Sequence, residues 1–300
     1  MIWPLRTMLF VPAHKLDWVR KVGRHRPDSV VLDLEDAVPP DLKKQARSTA
    51  REAIGLLREQ GIAAFVRINA FGQGAEEDVP ALGTEGLDGV MLPKSNDVGQ
   101  IRELDRLLCH VEGKVGMPLD SVAIMPLPET AQGIHAARDL AAASRRCRGI
   151  IGVVSGPVSG DVARAVGFQP TMEGTEQLYV ASKLVLDSRA GGAAYPMASL
   201  IGTALDDLDG VGVLARRAKS LGYSGAVLIH PSHVAVAAKI FTPTPEEVDY
   251  YAGMIEAMKQ AQARGDGAVS YRGVMVDYAM LPNAEAIVAE AARRLETQRD

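Results

Sequence analysis

Short apolar runs recur along the whole chain and are separated by stretches with the character of amphipathic helices. Eight runs are present: Met8–Val11, Ser29–Asp33, Ala64–Ile68, Gly89–Leu92, Val122–Pro126, Gly149–Val153, Ala198–Ile201 and Gly225–Ile229. A spacing of roughly 30 residues is typical of a repeating unit of one strand and one helix. Because most runs are apolar almost throughout, they indicate parallel strands that are buried on both faces.

Helix signals lie between the runs. Pro40 and Asp41 open an amphipathic stretch that ends at Gly61, Thr130 can cap a helix over residues 131–144, and residues 207–221 carry their apolar side chains on one face. Eight strands in strict alternation with helices predict a (β/α)₈ TIM barrel. An open, doubly wound sheet is the alternative, since periodicity does not distinguish a closed sheet from an open one.

The pattern continues beyond the eighth run. A helix is expected from Pro243 to about Arg264, followed by a glycine-rich break and a last helix from about Pro282 to Leu295. This tail is too apolar for a disordered linker and too short for an independent domain. We therefore predict a barrel domain over residues 1–241 and a C-terminal extension over residues 242–300, which packs on the barrel or on a neighbouring subunit.

Composition and charge exclude several classes of protein. The net charge of −4 does not favour a nucleic-acid or anionic-membrane partner, and no apolar run approaches the ~18 residues that span a bilayer. The N-terminus lacks the pattern of a signal peptide. Cys109 and Cys147 form no metal-binding spacing and no disulfide framework. The expectation is a cytoplasmic enzyme that acts on a small molecule.

Polar residues cluster where the predicted strands end. Asp33, Glu35 and Asp36 follow the second run, and Arg67 ends the third. Catalytic groups of a barrel gather at the carboxyl ends of its strands. The three carboxylates need a nearby cation, for which Lys43, Lys44 and Arg67 are candidates. Arg67, preceded by apolar residues, needs an anion: either an internal partner, Glu35 or Asp36, or a substrate carboxylate or enolate.

Two further carboxylates are candidate metal ligands. Glu129 follows the fifth run and Asp161 the sixth. Carboxylates on adjacent strand ends suit Mg²⁺, which prefers oxygen ligands and keeps several waters. The alternative for both is a capping role at the helix that follows. His230 and His233 could form part of a zinc site, but no third ligand is visible.

Taken in order, these motifs resemble the citrate lyase β-subunit-like proteins of the HpcH/HpaI aldolase group. The resemblance covers roughly residues 5–285. It is carried by Arg6–Pro12, Asp33–Val38, Lys43 with Ala46 and Arg47, Arg67–Asn69, Leu92–Lys94, Glu129 with Thr130 and Gly133, Asp161 ahead of Gly167, and Ile229–Pro231.

The resemblance implies a carbon–carbon lyase that acts on 3-hydroxyacyl thioesters such as citryl-, malyl- or citramalyl-CoA. It implies that Glu129 and Asp161 bind Mg²⁺ and that Arg67 contacts the thioester carbonyl or its enolate. It also implies that Asp277 reaches the active site of a neighbouring subunit, in a trimer or a multiple of a trimer.

Three loops depart from the family pattern. The segment Ser155–Asp161 is longer than usual and lacks the aromatic residue that precedes the metal aspartate, Ala13 replaces a glycine, and Ala226 replaces a lysine. These positions bear on the acyl carrier and the substrate rather than on the metal or the arginine.

The resulting hypothesis is a reversible aldol or Claisen-type cleavage. Mg²⁺ would act as a Lewis acid, Arg67 would stabilise the enolate, and Asp36, Glu35 or Asp277 would transfer protons. Alternatives are an aldolase for free 2-keto-4-hydroxy acids, a thioesterase on the same site, an accessory subunit of an acyl-carrier-dependent complex, or a barrel that binds an acidic metabolite without chemistry.

Overall fold

Eight parallel strands form the framework of the molecule. The computed structural model describes residues 3–83, 85–158 and 160–297. The strands are β1 (Thr7–Pro12), β2 (Ser29–Asp33), β3 (Ala63–Arg67), β4 (Gly89–Leu92), β5 (Ala123–Pro126), β6 (Ile151–Ser155), β7 (Met197–Ile201) and β8 (Gly225–Leu228).

The strands form a nearly closed barrel. Their order is β5-β4-β3-β2-β1-β8-β7-β6, so the first strand pairs with both the second and the eighth. Between β5 and β6 the described chain has an isolated parallel bridge from Ile124 to Cys147. The Ile124 amide donates to the Arg146 carbonyl, and the Arg148 amide donates back to the Ile124 carbonyl. The barrel expected from the sequence is therefore confirmed, with a weak seam between β5 and β6.

Helices connect successive strands. In the part of the chain up to Phe241 they are α1 (Leu16–Val22), α2 (Lys43–Glu59), α3 (Ala75–Leu82), α4 (Val98–Val115), α5 (Ala131–His135), α6 (Ala137–Ala142), α7 (Asp161–Val166), α8 (Leu178–Ala190), α9 (Leu208–Leu221) and α10 (His233–Phe241). Across the described ranges, no helix combines the length and apolar character needed to cross a membrane.

Two helix starts follow the expected capping chemistry, and one expected helix is interrupted. The Thr130 hydroxyl accepts from the Gly133 amide at the start of α5, and the Asp207 carboxylate accepts from the Gly210 amide at the start of α9. The continuous helix expected over residues 131–144 is instead the pair α5 and α6. They meet at Ala136, whose backbone (φ −83°, ψ 2°) leaves the helical range.

The two-residue period of the strands separates the barrel interior from the layer under the helices. Val31 and Phe65 lie in the interior cluster, whereas their neighbours Leu32 and Val66 pack in the large cluster between strands and helices. Counting on by two from Val31 and Phe65 reaches Asp33 and Arg67. The strand period therefore directs these charged side chains into the barrel mouth.

The chain divides into two compact units, Met1–Phe241 and Thr242–Asp300. The second contains α11 (Pro245–Ala263), an antiparallel hairpin of β9 (Ala268–Tyr271) and β10 (Val274–Asp277), and α12 (Leu281–Thr297). Its own apolar cluster includes Met254, Met258, Val276 and Ala284. That the second unit is not an independent domain stays a prediction.

Candidate active site

A cavity of about 520 Å³ opens at the carboxyl ends of the strands. All eight strands or the loops that follow them contribute to it, which is the usual arrangement for an active site in this architecture. Its lining includes Phe10, Pro12, Trp18, Asp33, Asp36, Arg67, Met91, Leu127, Glu129, Ile151, Val153, Ser155, Asp161, Ser199, Ile201 and Ile229.

Arg67, at the end of β3, is held by Asp33 at the end of β2. Its Nε and Nη2 donate to the two Asp33 carboxylate oxygens at 2.7 and 2.6 Å. Its Nη1 lies 3.1 Å from Glu35 Oε2 and 4.0 Å from Asp36 Oδ2. Burial lowers the pKa of Arg67, but the hydrogen bonds and charge of Asp33, together with the charges of Glu35 and Glu129, outweigh burial and raise it above its ordinary value. The main partner of Arg67 is thus Asp33. The sequence had indicated Glu35 or Asp36 as its internal partner.

Glu35 is buried and paired on both sides. Lys94 Nζ donates to its Oε1 at 2.6 Å, while Arg67 lies against its Oε2. Burial raises the pKa of Glu35 despite these two cations. Asp36, by contrast, keeps 60% of its side chain exposed and lines the cavity. Of these two predicted proton carriers, Asp36 is the accessible one.

Lys43 holds the acidic loop through main-chain atoms. Its Nζ donates to the carbonyls of Leu34 and Glu35 at 2.5 and 2.6 Å and to the side-chain oxygen of Asn69 at 2.7 Å. The expected salt bridge from Lys43 to the carboxylates is replaced by these three bonds. All three donors of the ammonium group are therefore committed to positioning the loop.

Asp78, on α3, supports the same region and was missed by the sequence reasoning. Its carboxylate is fully buried and accepts from the Asn69 backbone and side-chain amides at 2.7 Å each and from Arg47 Nε at 2.6 Å. The sequence gives little indication of this role, because an aspartate in the first turn of a helix is normally exposed and interacts favourably with the helix dipole. Lys94, which follows β4, is a second supporting residue for which the sequence motif alone indicates no role.

Glu129 and Asp161 line the same cavity. Lys94 donates its backbone N–H to Glu129 Oε2 at 3.2 Å. Burial raises the pKa of Glu129 to about 7; Glu35 adds to the rise, Arg67 opposes it, and Asp161 adds to it less strongly. Neither carboxylate caps a following helix: Asp161 is the first residue of α7 after Gly160 and pairs with Arg164, and Thr130 caps α5.

The donor set of this pair fits a hard divalent cation. Two carboxylates face a cavity with room for water, and their mutual repulsion is what a bound cation would relieve. Elsewhere in the described chain, Asp105, Cys109 and Asp120 have the spacing of a metal site, but they surround the Arg146 guanidinium. That guanidinium already supplies the positive charge there.

The structure therefore brings Arg67, Glu35, Asp36, Glu129 and Asp161 to one site within the first unit. Asp277 lies in the second unit, at the end of β10, where its side chain accepts from the Ala279 amide at 3.0 Å. Its predicted place in a neighbouring active site stays a prediction. His230 Nδ1 contacts the Ser232 hydroxyl at 2.6 Å, and His233 Nε2 contacts the Leu205 carbonyl.

Comparison with known proteins shows the family of this chain. A family model described as HpcH/HpaI aldolase/citrate lyase matches residues 6–231. The chain belongs to this family. The matched segment runs from the start of β1 to the end of β8 and includes Arg67, Glu129 and Asp161.

Relatives in this family align over nearly the whole chain. A citrate lyase subunit beta-like protein of Deinococcus radiodurans is 32% identical, with 96% of this chain and 98% of the relative covered. An L-malyl-CoA/β-methylmalyl-CoA lyase of Cereibacter sphaeroides is also 32% identical, with 96% and 95% covered.

Among solved structures, protein CitE of Mycobacterium tuberculosis in complex with magnesium, acetoacetate and coenzyme A is similar. It has a TM-score of 0.71 and 27% identity, with 97% of this chain and 100% of that chain covered. Family membership, with relatives that are lyases by name, makes this chain a carbon–carbon lyase.

Proposed function

We propose that the protein is a Mg²⁺-dependent lyase that cleaves a carbon–carbon bond in a 3-hydroxyacyl-CoA. The observation that carries this proposal is the placement of Glu129, Asp161 and Arg67 around one cavity at the carboxyl ends of the strands. The malyl-CoA lyase relative and the magnesium and coenzyme A complex of the structural neighbour support the substrate class and the metal.

Glu129 and Asp161 would hold the metal ion. When bound there, Mg²⁺ would supply Lewis-acid stabilisation and a template for the substrate carboxylate and hydroxyl. Asp161 contributes to the raised pKa of Glu129, which shows that the two carboxylates repel each other, and a bound cation would relieve this repulsion.

Arg67 would stabilise the charge that develops as the bond breaks. Electrons of the bond between the carbinol carbon and the α-carbon move into the thioester carbonyl, which becomes an enolate. Asp33 holds Nε and Nη2 in a bidentate pair, so the guanidinium enters the reaction with its orientation already set. Protonation of the enolate carbon then releases the shorter acyl-CoA.

The hydroxyl proton needs a base. Asp36 is best placed for this step because it lines the cavity and is largely exposed, whereas Glu35 is paired with Lys94 and Arg67. Asp277 is the third candidate for this base, and it would be supplied to the site by a neighbouring subunit. A cytoplasmic trimer, or a multiple of a trimer, stays a prediction.

Removal of either proposed ligand tests the proposal. Glu129→Gln and Asp161→Asn should each lower Mg²⁺-dependent cleavage of malyl- and citramalyl-CoA by at least ~1,000-fold. Calorimetry should show weakened Mg²⁺ binding, while circular dichroism shows a folded barrel. Glu103→Gln and Asp17→Asn make the same chemical changes at exposed positions and should leave turnover intact. Wild-type turnover in either site variant contradicts the proposal.

The same assay separates the competing reactions. Cleavage of free 4-hydroxy-2-keto acids without CoA esters would indicate an aldolase, and release of free CoA without carbon–carbon cleavage would indicate a thioesterase. Turnover only with an acyl-carrier partner would indicate an accessory subunit.

A further inference from the structure

The lining of the cavity contains both charged and apolar side chains. The charged side chains come from the ends of β2, β3 and β5 and from the start of α7. In the lining, β6, β7 and the residue after β8 contribute only uncharged side chains. The larger apolar side chains of the lining are Phe10, Trp18, Met91, Leu127, Ile151, Val153, Val162, Ile201 and Ile229, and the hydroxyls of Ser155 and Ser199 also line the cavity.

Positive charge is scarce in this cavity. Of the described residues in its lining, Arg67 is the one cation, against the carboxylates of Asp33, Asp36, Glu129 and Asp161. Arg67 is already paired with Asp33 and Glu35. Lys94 is bound to Glu35 at 2.6 Å and is not part of the lining, and Arg164 pairs with Asp161 with 77% of its side chain exposed.

This distribution constrains the substrate. In the proposed reaction the carbinol carbon carries a hydroxyl and a carboxylate for the metal, the carbon–carbon bond that breaks, and one further substituent. That substituent is hydrogen in a malyl thioester, methyl in a citramalyl thioester and carboxymethyl in a citryl thioester. A second carboxylate would lie against apolar side chains or other carboxylates, where a buried charge without a partner is strongly disfavoured. A methyl group would gain apolar contact instead.

We propose that this site takes thioesters whose carbinol carbon carries a small apolar substituent, with citramalyl-CoA as the preferred type, and rejects citryl-CoA. This inference rests on the proposed lyase function and specifies its substrate. The 2-keto acid product is then of the pyruvate type, with one carboxylate, rather than of the oxaloacetate type, with two.

Binding of 2-keto acids tests the inference without turnover. Calorimetry with the Mg²⁺-loaded protein should give a Kd for pyruvate at least ~10-fold lower than that for oxaloacetate. 4-Methyl-2-oxopentanoate, which has the shape of oxaloacetate but an apolar end, separates charge from size and should also bind more tightly than oxaloacetate. Equal or tighter binding of oxaloacetate, or binding of none of the three, overturns the inference.

Turnover distinguishes failure of this inference from failure of the proposed function. The ratio of kcat/KM for citramalyl-CoA to that for citryl-CoA should be at least ~100. A preference for citryl-CoA overturns the inference and leaves the lyase proposal intact. If no CoA ester is cleaved but pyruvate still binds more tightly than oxaloacetate, the lyase proposal fails and the assignment of ligand class stands.

A substitution at Ser199 tests whether an added cation improves the binding of oxaloacetate. Ser199 lies on β7, is partly buried and lines the cavity. Ser199→Lys adds the missing cation and should improve oxaloacetate binding relative to pyruvate by at least ~10-fold. Ser199→Met has similar length without charge and should not. If Ser199→Lys and Ser199→Met change oxaloacetate binding equally, the inference that charge decides the preference is overturned. If Ser199→Lys does not fold, the wild-type ratios of Kd and of kcat/KM test the inference.

Discussion

Lys43 positions the loop after β2 through main-chain oxygens and Asn69, not through a carboxylate. We predict that Lys43→Met leaves these acceptors unpaired and lowers the free energy of unfolding by roughly 1–3 kcal/mol. Displacement of Asp36 and Arg67 should lower kcat/KM by ~10–100-fold, mainly through kcat. Kinetics and urea unfolding measure the two effects.

The neighbouring Lys44 supplies a matched control. It is exposed on α2, and no such network involves it within the described part of the chain, so Lys44→Met should match wild type. Lys43→Arg should not restore activity, because a planar guanidinium cannot reproduce the three converging bonds of an ammonium. Full activity in Lys43→Met would show that the loop is held by other contacts.

Glu129 makes the stability of the metal-free protein depend on pH. Its pKa is raised from 4.5 to about 7 by burial, so the folded state binds the proton more tightly than the unfolded state. The stabilisation is fully present below about pH 4.5 and is lost as pH rises through about 7. Between these limits the loss amounts to about 3 kcal/mol at most.

Glu129→Gln should remove this pH dependence of stability, so a comparison of the variant with wild type measures it. In EDTA, the variant should be close to wild type at pH 5 and more stable at pH 8, as followed by urea unfolding. Mg²⁺ affinity of the wild type should rise between pH 5 and 8, because the metal needs the ionised carboxylate. A stability difference that does not change with pH would rule out a raised pKa at Glu129.

At the scale of elements, Arg146 closes the seam between β5 and β6. Its side chain is fully buried and donates to Glu112 Oε1 and Oε2 at 2.7 and 2.6 Å, to Asp105 at 2.6 Å and to the Val122 carbonyl at 3.1 Å. The guanidinium thus ties α4 to the start of β5. It does so where the strand ladder is reduced to an isolated bridge.

We predict that Arg146→Met destabilises the protein by roughly 3–5 kcal/mol, because it leaves the Glu112 carboxylate buried without its cation. The double variant Arg146→Met/Glu112→Gln should recover part of this loss. Arg106→Met on the exposed face of α4 is the control and should cost less than ~1 kcal/mol. A small effect in Arg146→Met would show that the seam is stable without the pair.

At the scale of the whole molecule, the prediction for Asp277 concerns subunits. If Asp277 completes the site of a neighbour, Asp277→Asn and Glu129→Gln should each be inactive as pure oligomers, yet regain activity when mixed. In an equal mixture about a quarter of the sites would contain both intact residues. Turnover of co-expressed or refolded mixtures, with the oligomer size from light scattering, measures this.

Asp266→Asn is the control in the same unit, since Asp266 pairs with Arg264 at an exposed position. It should retain activity alone. Inactive mixtures of the two site variants, or a fully active Asp277→Asn, would exclude a site shared between subunits.

Local patterns in the sequence were sufficient to predict the strands, their parallel arrangement and the strand ends that carry polar residues. Apolar runs and helix caps act over a few residues, so they can be interpreted without knowledge of distant contacts. The position of Arg67 at the end of β3, and of Glu129 and Asp161 after β5 and β6, followed from this pattern. The residue types indicated metal binding and anion binding as candidate roles, and the likeness to a known family favoured these roles over helix capping and internal ion pairs.

Only the tertiary structure decided which charges meet. Several carboxylates compete for each cation, and the choice depends on strand register: β2 and β3 place Asp33 beside Arg67. The same through-space packing turns Lys43 towards main-chain oxygens, buries Asp78 under Asn69 and raises the pKa of Glu129. The sequence determined which groups are available at the barrel mouth, and the barrel determined their partners, because pairing is set by distances between residues far apart in the chain.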